Sequence, residues 1–329
     1  MSLKNSSKRI LFKLPKPAID SFYTIYDRVR YPDLTEKRVS FGNLNADKTV
    51  YIIRPRTDGI EGLMSLFQNV VKQINYAEKN SYIPVVDFKN YKTQYTDNKQ
   101  HIKNVWEYYF EQPSYISLEE AYNSKNVVLS GLSGLRKSDS FLDQKMDKES
   151  IKKARLFVKE HIRLTNTTTS YVNKEMNSFY PERTLGLYLR GTDYTKLRPA
   201  GHPVQPTAEQ AIKVAEQMMK KNNLENVFLV TEDDDIYRAV KERFHERLRI
   251  VSYDAFIEDY KGDVYLSQDE KMISQLAYTP YQRGLNYLAK LIILSKCKCF
   301  VGGNTCGSWA ANTFSEGYDD SYIFELGVY

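Results

Sequence analysis

The chain has 329 residues, 42% hydrophobic and 27% charged, with a net charge of +6. That length suits two domains of about 150 residues, each able to bury a core without staples. No uninterrupted apolar stretch approaches the roughly 20 residues a membrane helix requires, and the first residues lack the apolar core of a signal peptide, so a cytoplasmic protein is expected.

The three cysteines, Cys297, Cys299 and Cys306, fall within ten residues of one another, an odd number that fits a reducing compartment and no disulfide framework. Zinc wants four ligands at wider spacing, so Cys297 and Cys299 are expected as inert buried thiols and no metal site is expected. The first 16 residues carry five Lys/Arg and no acid. Such an arm suits peripheral contact with an anionic membrane surface or simple solvation. No aromatic-interleaved basic stripe accompanies it, so no nucleic acid partner is expected.

In chain order, residues 1–45 read as a basic N-terminal extension. Residues 49–56 (TVYIIRPR) form an apolar run suited to a buried strand, followed by the turn-forming TDGIEG. Leu63, Leu66, Phe67, Val70, Val71, Ile74 and Ala77 then recur on one helical face. Residues 81–88 and 126–132 predict further strands, and a β-α-β opening favours a parallel sheet covered by helices. An amphipathic helix over 147–164 completes an N-terminal domain spanning 46–165. The polar stretch 166–183 is the expected linker.

A second alternating series spans 184–329. Strands are expected at 184–193, 225–235, 248–254 and 297–303. Helices are expected after the capping-box pattern of Thr207 and Gln210 and over 283–296. Two such doubly wound, Rossmann-like domains facing a cleft make an α/β, GT-B-like architecture.

Ligands of open parallel sheets bind outside the C-terminal strand ends, and the unusual residues sit there. LYLRGTDYTKLRPAGHP (187–203) delivers Arg190, Asp193, Tyr194, Lys196, Arg198 and His202 into one loop. Arg190 offers a planar fork for phosphate oxygens and Lys196 a point charge; a structural Arg–Asp pair bridging a turn explains the segment equally well. For VTEDDD (230–235), helix capping, a metal site and ligand recognition compete. Capping suits Asp234 and Asp235, and ligand contact suits Glu232 and Asp233. GGNTCGSW (302–309) is a glycine-rich loop entering a short helix, with backbone N–H groups suited to phosphate, though without a dinucleotide or P-loop spacing. In the N-terminal half, RPRTDGIEG places Arg56, Asp58 and Gly59 at the sheet edge as acceptor-side candidates. NVWEYYFEQP (104–113) is a candidate sugar-stacking wall.

Taken together, LRGTDY (189–194), HPVQPTAEQAI (202–212), VFLVTEDDDIY (227–237) and RGLNYLAKLIILSKCKCFVGGNTCGSW (283–309) resemble the α-1,2/α-1,6 and protein O-fucosyltransferase superfamily. These are inverting GT-B enzymes that use GDP-fucose without a metal. The resemblance covers about residues 184–314, with a weaker echo at 57–77. It implies a glycosyltransferase of bacterial surface-polysaccharide type, with a nucleotide sugar and a glycan acceptor as substrates and no cofactor. Arg190 would stabilise the leaving β-phosphate, and Asn304, Thr305 and Ser308 would line the diphosphate end. Glu232 and Asp233 would contact nucleoside or sugar. Gly191, Thr192, Tyr194, Lys196, Thr231 and Arg283 complete the donor-binding set, and Asp193 and His202 join Arg190 as catalytic candidates. Departures from the family pattern are Leu187 or Tyr188 in the place of a His, Lys290 in that of a guanine-reading Asp, and Arg198 near that of a Glu. They leave open a transferase of the same architecture using another nucleotide sugar, and an inactive glycan- or nucleotide-binding subunit.

Overall fold

The computed structural model describes residues 16–56, 60–96, 103–176, 180–262, 264–277 and 279–329. Its packing divides the chain into two compact α/β units. One comprises Met1–Arg56, Asn69–Asp87 and Pro113–Asp139, and the other Thr57–Gln68, Phe88–Gln112 and Ser140–Tyr329.

The smaller unit contains α1 (Lys16–Arg30), β1 (Lys37–Val39), β2 (Val50–Ile53), the C-terminal part of α2 (Leu63–Lys79), β3 (Ile83–Val86), α3 (Leu118–Ala121), β4 (Val127–Leu129) and α4 (Leu132–Lys137). Its sheet runs β1-β4-β2-β3, with β2, β3 and β4 parallel and β1 antiparallel at the edge. All four residues of β2 are buried, which is why the strand reads as a continuous apolar run rather than an alternation. Val50, Ile52, Val85, Val127 and Leu129 form the core with Ile116 and Ala121. Residues read as an extension therefore form a helix and an edge strand. The signal was weak because β1 has three residues, two of them the exposed Lys37 and Arg38, as unpaired sheet edges commonly are.

The larger unit contains α5 (Lys148–His161), α6 (Asn166–Met176), β5 (Thr184–Tyr188), α7 (Thr192–Lys196), α8 (Ala208–Asn222), β6 (Asn226–Val230), α9 (Asp234–Phe244), β7 (Leu248–Arg249), α10 (Glu270–Ile273), α11 (Pro280–Leu294), β8 (Cys299–Gly303), α12 (Cys306–Phe314) and β9 (Asp320–Phe324). The five strands are all parallel in the order β7-β6-β5-β8-β9. Leu185, Leu187 and Leu189 turn one sheet face toward Ala211, Ala215, Met218 and Met219 of α8 and Ile236, Val240 and Phe244 of α9. α11 and α12 cover the other face, where Leu294 lies against Gly186 and Gly307 against Tyr188. This is the doubly wound pattern expected for the C-terminal half, and its order reverses between β5 and β8, the position where such sheets bind ligands.

Three local expectations change. The stretch read as a linker contains α6, which packs on α11 through polar contacts: the Tyr171 hydroxyl donates to Asn286 at 2.7 Å, with Thr168 and Val172 buried. Of 248–254, only Leu248 and Arg249 pair with β6. Trp106, Tyr109 and Phe110 are core rather than a sugar-facing wall, with Phe110 stacked between Trp106 at 4.5 Å and Phe67 at 5.4 Å. No helix among the described residues is long and apolar enough to cross a membrane.

Candidate active site

β5 ends at Tyr188, and the chain leaves the sheet through Leu189, Arg190 and Gly191. The guanidinium of Arg190 pairs with Asp193 at 3.0 Å and with Glu232 at 3.1 Å, and lies 4.9 Å from the ring centre of Tyr194. Its side chain is 24% exposed. Burial disfavours the charge, but Glu232 and Asp193 outweigh that and hold the Arg190 pKa well above its ordinary value. The cation is thus permanent and fixed, with one of its five N–H donors bonded to Asp193 and the Glu232 contact an ion pair.

The acids after β6 turn back onto the same loop. One oxygen of Glu232 accepts from Gly191 N at 3.1 Å and from the Thr192 hydroxyl at 3.0 Å. Asp233 accepts Thr192 N at 2.8 Å with one oxygen and caps α9 through Ile236 N at 3.1 Å with the other. Asp233 is therefore the helix cap, where Asp234 and Asp235 had been expected; Asp234 instead pairs with Arg238 one turn on. Thr231 is buried, its hydroxyl accepting Asp233 N at 3.2 Å. The latch explains two backbone features. A Cβ on Gly191 would stand 2.3 Å from the Asp233 carboxylate, so only glycine fits. Thr192 holds φ +44, a left-handed conformation unfavourable for a β-branched residue, and the bonds to Glu232 and Asp233 offset its cost.

Asp193 is buried and both its oxygens are engaged, one by Arg190 and the other by Leu266 N at 3.2 Å. His202 is half-buried, with its ring 5.4 Å from that of Tyr194 in an edge-on contact. Burial pushes the Tyr194 hydroxyl up to about 12, partly opposed by Arg190. Arg190, Tyr194 and His202 thus form one layered group. Lys196 bends away and donates to the Tyr260 carbonyl.

On the other side of the switch point, Thr305 caps α12 by accepting Ser308 N at 3.0 Å. The Ser308 hydroxyl is fully buried and donates to the Gly303 carbonyl. These two hydroxyls shape the loop rather than face open space, correcting their expected place on a ligand surface. Asn304 remains half-buried, with its side-chain oxygen accepting from Gln144 at 2.9 Å.

Two residues that the sequence reading did not place in the site join the loops. The Tyr188 and Tyr287 hydroxyls meet at 3.0 Å, and a Cβ on Gly307 would touch both, so α12 begins directly against the pair. Burial raises both pKa values, opposed by the nearby Arg190. Tyr287 lies within the apolar periodicity of α11, and nothing in that pattern distinguishes it from a core residue.

Arg283, in the first turn of α11, donates to the Gln94 carbonyl at 2.9 Å and lies 5.6 Å from the Tyr95 ring centre. It makes no ion pair among the described residues, and its buried Nε has no hydrogen-bond partner. Tyr95 lies in the field of both Arg283 and Arg190. Lys290, three turns into α11, forms a buried pair with Asp254 at 2.7 Å.

In the smaller unit, Arg56 is exposed and lines a recess with Arg54, Asn69, Gln73, Ser130 and Gly131 beyond the ends of β2 and β4. Asp58 and Gly59 lie outside the described residues.

No protein-family model matches the chain, and no curated protein matches it. The solved structures it is similar to include the fucosyltransferase NodZ from Bradyrhizobium, at 13% identity and a TM-score of 0.46, covering 82% of this chain and 94% of that one. POFUT1 in complex with GDP matches at 10% identity and a TM-score of 0.47, covering 85% and 99%. An Arabidopsis thaliana FUT1 variant in complex with GDP matches at 12% identity and a TM-score of 0.43, covering 95% and 76%.

Proposed function

We propose that the chain is an inverting glycosyltransferase that moves fucose from GDP-fucose to a glycan acceptor in surface polysaccharide or glycoconjugate synthesis, without a metal. The observation that carries this reading is the fixed Arg190 cation at the end of β5, beside the switch point and the start of α12.

In such a transfer the bond from the anomeric carbon to the diphosphate oxygen breaks as an acceptor hydroxyl attacks the opposite face of the sugar. Negative charge grows on the departing oxygen, and cations already in place there act on the transition state. Arg190, kept charged and rigid by Asp193 and Glu232, is suited to that role through its remaining donors. Arg283, with no carboxylate to neutralise it among the described residues, supplies a second positive charge for the donor. Asp193 positions Arg190, since both its oxygens are engaged, and His202 is left as the group to take the acceptor proton. Leaving-group stabilisation does most of the work in an oxocarbenium-like reaction, so a weak base suffices.

The feature favouring a donor other than GDP-fucose is Lys290, which is committed to Asp254 where the resemblance expects a guanine-reading acid. We place the enzyme in the cytoplasm, with its basic N-terminal region at the inner membrane face. Transfer from GDP-fucose, measured for the wild type, Arg190→Ala and Arg190→Lys, tests the reading. Loss in Arg190→Ala with the fold retained supports it. Undiminished turnover in that variant refutes the site, and nucleotide binding without any turnover favours an inactive binding subunit.

A further inference from the structure

α1 is attached to its unit by its polar side. Asp27 is buried and pairs with Arg136 of α4, and the Tyr23 ring covers the same guanidinium at 4.9 Å. The opposite side presents Phe22, Ile25 and Val29 at i, i+3 and i+7, with Ile25 64% and Val29 80% exposed. A helix on the surface of a globular protein ordinarily turns its apolar stripe to the core and its polar residues to water. Here the arrangement is inverted, and no described residue buries the stripe.

Charge indicates what covers it. Residues 1–30 carry seven Lys/Arg against two acids, so +5 of the net +6 of the whole chain lies in this segment. One of the two acids, Asp27, is already neutralised by Arg136. Arg28 and Arg30 are exposed beside the stripe. The Tyr26 ring stacks on Phe22 at 6.1 Å and meets Tyr31 at 6.2 Å. Tyrosine beside an apolar stripe suits the headgroup level of a bilayer. A second copy of so basic a face repels the first, whereas anionic headgroups complement it.

We propose that α1 is an interfacial helix that lays Phe22, Ile25 and Val29 into an anionic bilayer while the flanking Arg28 and Arg30 meet lipid phosphates. The binding combines apolar insertion with charge attraction, neither sufficient alone. It rests on the placement of the N-terminal region at the membrane face and gives it a physical basis, but its test needs no donor or acceptor and so is separate from that of the transfer.

The test is co-sedimentation of the full chain with vesicles of phosphatidylcholine alone or mixed with anionic phosphatidylglycerol. The expected result is binding to the mixed vesicles only. Ile25→Ser/Val29→Ser should weaken it by about tenfold, on the scale of burying two aliphatic side chains in part. Arg28→Gln and Arg30→Gln should each weaken it about fivefold, from about 1 kcal/mol per basic residue near the surface. All four positions are exposed, and an unchanged melting curve verifies that each variant is folded. Three results overturn the proposal: no vesicle binding by the wild type, binding that the serine variant retains in full, or a dimer in gel filtration that the serine variant splits.

Discussion

Replacing Glu232 by alanine removes a carboxylate oxygen that accepts from Gly191 N at 3.1 Å and the Thr192 hydroxyl at 3.0 Å and forms an ion pair with the Arg190 guanidinium at 3.1 Å. Both hydrogen bonds end on an ionised carboxylate, and a bond to a charged group contributes about 1.5–3 kcal/mol net. Asp193 still holds Arg190, so the ion pair adds little, and the two bonds at the lower end of that range come to about 3 kcal/mol. Glu232→Gln keeps a carbonyl oxygen in the same place and loses only the charge, for about 1 kcal/mol. Urea denaturation reads both values as a shift in midpoint at constant slope. Nucleoside diphosphate binding should weaken more in Glu232→Ala than in Glu232→Gln, because the first frees the loop that aims Arg190 and the second does not. A Glu232→Ala protein within about 0.5 kcal/mol of wild type would refute the latch, since two lost charge-assisted bonds cannot sum to so little.

Gly191→Ala forces a Cβ against the Asp233 side chain and should cost about 1–3 kcal/mol; combining it with Asp233→Ala should cost less than the two singles added, a coupling that a double-mutant cycle measures. Lys290→Met leaves the Asp254 carboxylate, 1% exposed, without its cation and should destabilise by about 3–5 kcal/mol, while Lys290→Met/Asp254→Leu should regain most of that in thermal denaturation. Burial raises the Cys297 and Cys299 thiol pKa values, whereas Cys306 is half-buried, so a thiol reagent should label one cysteine in the folded chain and all three after denaturation.

The parallel sheet of the larger unit was legible because buried strands read as unbroken apolar runs: TLGLY of β5 is buried throughout, as is CFVGG of β8. α8 announced itself through the capping box of Thr207 and Gln210, which forms as read. α6 was hidden because its contacts are the polar Tyr171–Asn286–Gln282 group and its sequence carries three consecutive threonines. In the site, the rule that function gathers at strand ends brought Arg190, Asp193, Glu232 and Asp233 into view. What each carboxylate holds was beyond the sequence. Glu232 and Asp233 stand about forty residues from the Gly191–Thr192 loop they fasten, and only the pairing of β5 with β6 brings them together. Ser308 and Thr305 looked like phosphate ligands because hydroxyls at a helix start also serve as caps and turn braces, and here Thr305 caps α12 while the Ser308 hydroxyl donates to the Gly303 carbonyl.

The central claim is that Arg190 helps hold a nucleoside diphosphate, and calorimetry with GDP, UDP, ADP and CMP, with and without Mg²⁺, tests it most directly in the wild type and in Arg190→Ala. The expected result is selective GDP binding that does not need the metal and is lost in a folded Arg190→Ala protein. Binding of none of the four nucleotides, or GDP binding that survives intact in Arg190→Ala, would contradict it.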